Sequence, residues 1–254
     1  MTPDAPSTVL LLHGQPGTVA DWGGVVAGLD GRAHVLAVNR PGWDGATRAQ
    51  DLAGNAAAAL AMLDAHDAGP AVVAGHSLGA AVAAWLAATR PDRVAALVLA
   101  APAANQAALY TLDRWLAAPV AGDVAAAAAL GGLGLALAIA PVRRRFADAT
   151  GLHEDYLRIA GVAVRRPAAW RAYATEQRAL VRDLPELERR LGAIGAPTTI
   201  IAGRHDPIVP ERATEALARQ IPGARLQHSA AAGHLVPQRD PATVVAAILA
   251  ALHR

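Results

Sequence analysis

Residues 71–85 read Ala71-Val72-Val73-Ala74-Gly75-His76-Ser77-Leu78-Gly79-Ala80-Ala81-Val82-Ala83-Ala84-Trp85: an apolar run, a serine with glycines near it, and a segment of helical composition. The central five residues follow G-x-S-x-G, set between a predicted strand and a predicted helix. Glycines two positions to either side of Ser77 let a sharp turn close without side-chain collisions, which lifts the hydroxyl clear of the backbone. The helix beginning there points its positive end at the same spot. A helix-capping serine is the plainer alternative, and the strand, turn and helix around Ser77 argue against it.

Outward from this turn the chain alternates. Short apolar, β-branched runs occur at 8–12, 34–38, 71–74, 94–99, 198–202 and 224–228, each ending in Gly, Pro or a polar turn. Segments with helical spacing lie between or after them, among them 48–66, 78–89, 211–220 and 241–252. Strand, helix, strand repetition predicts an α/β fold with a mostly parallel sheet of about six strands and helices on both faces. The rhythm breaks over 103–175, which is Ala-rich, carries Arg clusters and shows no convincing strand. It is read as a helical insertion, a cap, dividing a core formed by 1–102 and 176–254. Six of the nine aromatic residues fall in it: Tyr110, Trp115, Phe146, Tyr156, Trp170 and Tyr173. They either roof a cavity or fill the insertion's own core, and Trp115, Trp170 and Tyr173 are taken as candidates for binding substrate.

In open parallel sheets reactive groups gather beyond the carboxyl ends of the strands. The first strand runs into His13-Gly14-Gln15-Pro16-Gly17, where the backbone N–H of Gln15, with that of Leu78, is suited to hold an oxyanion. His13 itself is expected to brace this loop. The strand at 198–202 runs into Gly203-Arg204-His205-Asp206-Pro207, and the last strand leads to Ala232-Gly233-His234-Leu235. A serine hydroxyl needs a base to react at neutral pH, and an imidazole held by a carboxylate supplies one. Asp206 and His234 meet that need, in the order Ser77, Asp206, His234. His76, His205 and His228 also lie near strand ends, but His205 adjoins the proposed acid and His228 falls inside a strand. The loop after 94–99, Ala100-Ala101-Pro102-Ala103-Ala104-Asn105, offers no competing carboxylate.

Together these stretches resemble the α/β-hydrolase fold superfamily, within it the branch of serine esterases, cofactor-free haloperoxidases and carbon–carbon bond hydrolases, whose members carry a helical cap where 103–175 stands. The resemblance implies a serine hydrolase that cleaves an ester, thioester or lactone through an acyl-enzyme on Ser77. The same triad serves carbon–carbon cleavage, acyl transfer or cyclisation in other proteins, and a non-catalytic binding protein on this fold is the alternative of another class. The chain departs from the family pattern in two ways. It reaches His13 without room for the antiparallel strands that usually open the sheet, and Asn39 stands where the family often has Asp, in Asn39-Arg40-Pro41-Gly42-Trp43-Asp44-Gly45. Ser77 occupies the position where dehalogenases and epoxide hydrolases have an aspartate, which disfavours those chemistries.

Composition narrows the partners. The chain has 254 residues, 54% of them hydrophobic and 17% charged, as expected of one packed globular protein rather than a disordered one. Lys and Arg number 23 against 21 Asp and Glu, too even a balance to favour nucleic acid. There is no cysteine, hence no disulfide or Cys-based metal site, and no metal spacing or phosphate loop suggests a cofactor. The charge-free run 124–140, followed by Arg143-Arg144-Arg145, has the outline of a membrane span, but its Ala and Gly are weakly hydrophobic and it barely reaches spanning length. Without a secretory signal, a cytoplasmic location is expected. From Trp115 to Val142 the one charged residue is Asp123, which favours an apolar or aromatic small-molecule substrate. The arginines at 143–145 and 165–166 are read as solvated surface. An apolar insertion suits either a monomer or a homodimer.

Overall fold

The six apolar runs form strands β1 (Thr8–Leu12), β2 (His34–Val38), β3 (Ala71–His76), β4 (Val94–Ala100), β5 (Thr198–Gly203) and β6 (Arg225–Ser229). The structure, a computed structural model, describes residues 8–253. Helices follow as α1 (Gly23–Leu29), α2 (Leu52–Ala65), α3 (Leu78–Thr89), α4 (Thr111–Leu116), α5 (Ala121–Ala138), α6 (Ala140–Thr150), α7 (Glu154–Val164), α8 (Pro167–Arg190), α9 (Glu211–Gln220), α10 (Val236–Arg239) and α11 (Pro241–Leu252). Helix α2 starts later than its spacing suggests, because the Asp51 side chain accepts from Gly54 N–H and caps it there.

The strands hydrogen-bond in the order β2-β1-β3-β4-β5-β6, and every pair is parallel. Alternate side chains therefore enter two separate cores. Leu10, Leu12, Val73, Leu97, Leu99 and Ile200 face α2, α3 and the end of α8, while Val9, Leu11, Val72, Val98 and Ile201 face α1 and α11. With both faces covered, the inner strands β1, β3 and β4 read as continuous apolar runs rather than as an apolar–polar alternation, whereas the edge strand β6, Arg225-Leu226-Gln227-His228-Ser229, is polar and partly exposed. Ala80, Ala81, Val82, Ala83 and Ala84 of α3 are fully buried. Their small side chains let α3 lie close on the sheet.

From β1 the chain goes out to β2 and returns to β3 on the other side of β1. That reversal opens a crevice at the carboxyl ends of β1 and β3. Helices α4 to α7 and the first turns of α8 stand over it as the insertion. The expected boundary near Thr175 falls inside α8, which continues unbroken from the insertion into the core, where Leu180, Leu184 and Leu187 are buried.

Helix α5 is long and apolar enough to cross a membrane, but it packs within the insertion, with 33% of it buried. Glycines allow the approach. A Cβ at Gly131 would meet the Trp170 ring at 3.0 Å, and one at Gly134 would meet the carbonyl of Gly161 on α7 at 2.9 Å.

Candidate functional site

The serine turn is held by close backbone packing. Ser77 has φ 52° and ψ −117°, a conformation that costs a non-glycine residue about 1–3 kcal/mol. It persists because the backbone around it is pinned. Ser77 N–H donates to Ala100 O at 3.0 Å, and Ser77 O accepts from Ala80 N–H at 3.0 Å and Ala103 N–H at 3.2 Å. A Cβ at Gly75 would stand 2.3 Å from Gly79 O, and one at Gly79 would stand 2.2 Å from Leu12 O. Both glycines are thus dictated by the approach of neighbouring backbone.

Ser77 Oγ lies 3.0 Å from His234 Nε2, and His234 Nδ1 lies 2.9 Å from Asp206 Oδ2. A carboxylate only accepts, so Nδ1 carries the ring proton and Nε2 is left with a lone pair aimed at the serine. The other Asp206 oxygen accepts from Ile208 N–H at 2.7 Å and Val209 N–H at 2.9 Å, which fixes the carboxylate's orientation. The His234 and Asp206 side chains are 13% and 4% exposed. Of the other histidines weighed from the sequence, His205 is exposed and His228 pairs with Glu211 at 3.0 Å, away from the serine.

His76 faces the serine turn from beneath. Its Nε2 donates to the backbone carbonyl of His234 at 2.8 Å, tying the loop that bears His234 to β3. Among the described residues its buried Nδ1 has no partner. Burial, then the neighbouring His234, pushes its pKa down to about 3, so the ring is neutral.

Gln15 and Leu78 both line the cavity beside Ser77. Leu78 opens α3, where no carbonyl of the same helix takes its N–H. The Gln15 loop approaches so closely that a Cβ at Gly14 would be 3.1 Å from Ser77 Cβ. A buried network anchors this loop from behind. His13 Nε2 accepts from Arg40 N–H at 3.0 Å, so its proton is on Nδ1, which donates to Gly14 O at 2.8 Å. Burial and the nearby Arg40 charge hold His13 well below its ordinary pKa.

The Arg40 guanidinium donates to His13 O at 2.8 Å, Gly14 O at 2.9 Å and Asn55 Oδ1 at 3.2 Å, and it pairs with the carboxylate of Glu176 on α8. Glu176 also accepts from Trp43 Nε1 at 2.9 Å. Burial pushes the Glu176 carboxyl up, against the opposing pull of Arg40. Asn39 Oδ1 accepts from Val19 N–H at 2.8 Å and joins the loops after β2 and β1, a packing role. His13 braces this loop as its position suggested, but the Arg40–Glu176 pair was not singled out from the sequence, since the two lie on separate elements and no local pattern links them.

The site opens into a cavity of about 730 Å³ between sheet and insertion. One end is apolar, lined by Ala103, Leu109, Leu112, Leu116 and Leu180; the other carries Asp21, Tyr156, Gln238 and Arg239. Tyr173 lines the cavity, whereas Trp115 and Trp170 do not, and those two aromatic expectations need correction. Trp115 is 57% exposed on the outer side of the short α4. Trp170 packs inside the insertion, its Nε1–H donating to Val164 O at 2.8 Å and its ring covering Gly131. Arg143 binds Glu154 and the Leu137 carbonyl, stitching α6 to its neighbours. Among the described residues no group of three or more His, Asp or Glu side chains is disposed to hold a metal ion.

A parallel sheet whose serine turn meets a histidine and an aspartate from later strand ends, under a helical insertion, defines a class. The chain matches the alpha/beta hydrolase fold family over residues 7–237 and belongs to it. It is 33% identical to lipase LipV of Mycobacterium tuberculosis over 97% of this chain and 93% of that one. It is 31% identical to a pimeloyl-[acyl-carrier protein] methyl ester esterase of Neisseria meningitidis over 91% of this chain and 88% of that one. A hydrolase from Pseudomonas aeruginosa shares the fold with a TM-score of 0.77 at 24% identity, covering 98% of this chain and 91% of that chain. The lipase and the esterase among these relatives make ester hydrolysis a chemistry found in this family.

Proposed function

We propose that the protein is a serine carboxylic ester hydrolase acting on a small molecule with an apolar acyl group. The observation that carries this reading is the chain from Ser77 Oγ through His234 to Asp206, opening directly into the cavity. His234 Nε2 takes the hydroxyl proton as Ser77 Oγ bonds to the carbonyl carbon, and the N–H groups of Gln15 and Leu78 receive the developing oxyanion. When the bond to the leaving alcohol breaks, His234 returns the proton to the alcohol oxygen. Water then adds to the acyl-enzyme with His234 as base, releasing the acid and restoring Ser77. Asp206 holds the tautomer and balances the imidazolium charge. The acyl group lies against Leu109, Leu116 and Leu180. Two relatives named for lipase and methyl ester esterase activity support the same reading.

The test is hydrolysis of p-nitrophenyl esters of graded acyl length by the wild type and Ser77→Ala, with folding checked by circular dichroism. The expected result is a loss of about 10³-fold or more in kcat for the variant. A Ser77→Ala protein with near-native activity refutes the assignment. A wild type that turns over no ester, yet is labelled at Ser77 by a fluorophosphonate, moves the triad to acyl transfer, carbon–carbon cleavage or cyclisation; no labelling points to a binding protein.

A further inference from the structure

The polar end of the cavity is built from three separate parts of the chain. Asp21 stands in the turn Val19–Trp22 after β1, Tyr156 comes from α7 of the insertion, and Gln238 from α10. Tyr156 Oη donates to Asp21 Oδ1 at 3.2 Å and accepts from Gln238 Nε2 at 3.5 Å, so the phenol is used in both directions. What remains unclaimed is acceptor capacity. Among the described residues Gln238 Oε1 is buried with no partner, and a turn of its amide brings it to the cavity that Gln238 lines; Asp21, on the same wall, has lone pairs beyond the one that Tyr156 engages. Unpaired buried acceptors are costly unless something arrives to donate to them.

The chemistry of the proposed reaction says which half of the substrate meets this end. The leaving oxygen must sit within reach of His234 Nε2 to receive its proton, and the residues that follow His234 lead straight into α10 and Gln238. The acyl half has the leucine-lined end. We propose that Asp21, Tyr156 and Gln238 form a subsite for the alcohol half of the ester, and that this half is a neutral alcohol bearing free hydroxyl groups. A cationic head is disfavoured by the Arg239 guanidinium on the same wall, and an anionic head by Asp21 itself.

The inference rests on the ester-hydrolase reading, so its test separates the two. Wild-type enzyme is given butanoate esters of 1-propanol and of glycerol at one primary hydroxyl, with p-nitrophenyl butanoate as a third substrate. The dihydroxypropyl ester is expected to exceed the propyl ester in kcat/KM by about tenfold or more, mostly through KM. Gln238→Leu and Tyr156→Phe are each expected to bring that ratio down to within about threefold of unity. If the trio is only a strut between insertion and core, the variants lose rate on both esters alike and the ratio stands, which overturns the proposal. A flat wild-type ratio overturns it too, whether or not the variants fold. Ser77-dependent hydrolysis of p-nitrophenyl butanoate with a flat ratio removes the subsite alone; no turnover of any ester removes both readings.

Discussion

Replacing Arg40 by Met removes the cation that Glu176 faces while roughly keeping the volume. Both side chains of the pair are 1% exposed, so the carboxylate left behind gains no water in exchange. Breaking a buried pair from one side costs about 3–5 kcal/mol. For a chain of this size that corresponds to a fall in Tm of roughly 6–20 °C. The loss has a pH signature. Burial already raises the Glu176 carboxyl, and without Arg40 nothing comparable opposes it. A carboxyl whose folded pKa lies above its unfolded value contributes stability that is complete below the unfolded pKa and is lost as pH rises through the folded one. The Tm deficit of Arg40→Met relative to wild type is therefore larger at pH 8 than at pH 5. Adding Glu176→Leu to Arg40→Met removes the unpaired carboxylate and restores part of the stability. The remaining deficit, about 1–3 kcal/mol, belongs to the His13 and Gly14 carbonyls that Arg40 no longer serves. Thermal melts of the three proteins at both pH values decide it. A deficit under about 1 kcal/mol, one equal at both pH values, or a double variant no better than the single would each refute the electrostatic account.

Asp21, with its carboxyl pushed up to about 7 by burial, gives a second pH effect. Its contribution is intact below about pH 4 and lost as pH climbs through 7, a swing of up to about 4 kcal/mol. Asp21→Asn is expected to flatten the wild-type decline in Tm between pH 5 and 8, and an unchanged slope contradicts the assignment. At Gly79 an added Cβ would be 2.2 Å from Leu12 O and 2.4 Å from His13 O, whereas at Gly192 nothing lies within 4 Å. Gly79→Ala is thus expected to cost about 3 kcal/mol or more, or to prevent soluble expression, with Gly192→Ala near wild type in the same melt; equal melting of the two refutes the close-approach argument.

What the sequence disclosed follows the range of the interactions. The β1 and β2 runs and helices α3, α9 and α11 begin and end where local apolar periodicity and turn residues put them. The serine turn was legible because its two glycines are demanded by backbone within a few residues and by the adjacent strand β1. His234 and Asp206 were found through a general rule, that strand ends face the crevice, which needs no knowledge of contacts. Arg40 with Glu176, and Asp21 with Tyr156, lie outside any such rule. Each pair joins residues more than a hundred positions apart, and an arginine or aspartate gives no local sign that it will be buried. Two aromatics of the insertion, Trp115 and Trp170, failed in another way. A tryptophan on a short helix such as α4 can face in or out with equal local propensity, and Trp115 faces out.

Helix α8 has mechanical weight beyond its packing. At 24 residues it is a rod of roughly 36 Å. Its first half carries Tyr173 and Gln177 along the cavity, and its second half is embedded in the core. The Arg40–Glu176 clasp fastens it midway. The other attachment, residues 101–110, is anchored as well, Asn105 Nδ2 donating to Ala213 O at 3.0 Å and Gln106 Nε2 to Glu188 at 2.8 Å. Swinging the whole insertion away from the sheet would bend the beam and break the clasp. Helix α4 and the start of α5 hang from the same beam, Gln177 Nε2 donating to Asp113 Oδ1 at 3.1 Å and Arg178 pairing with Asp123 at 3.0 Å, so the roof over Ser77 is braced to the core along its length.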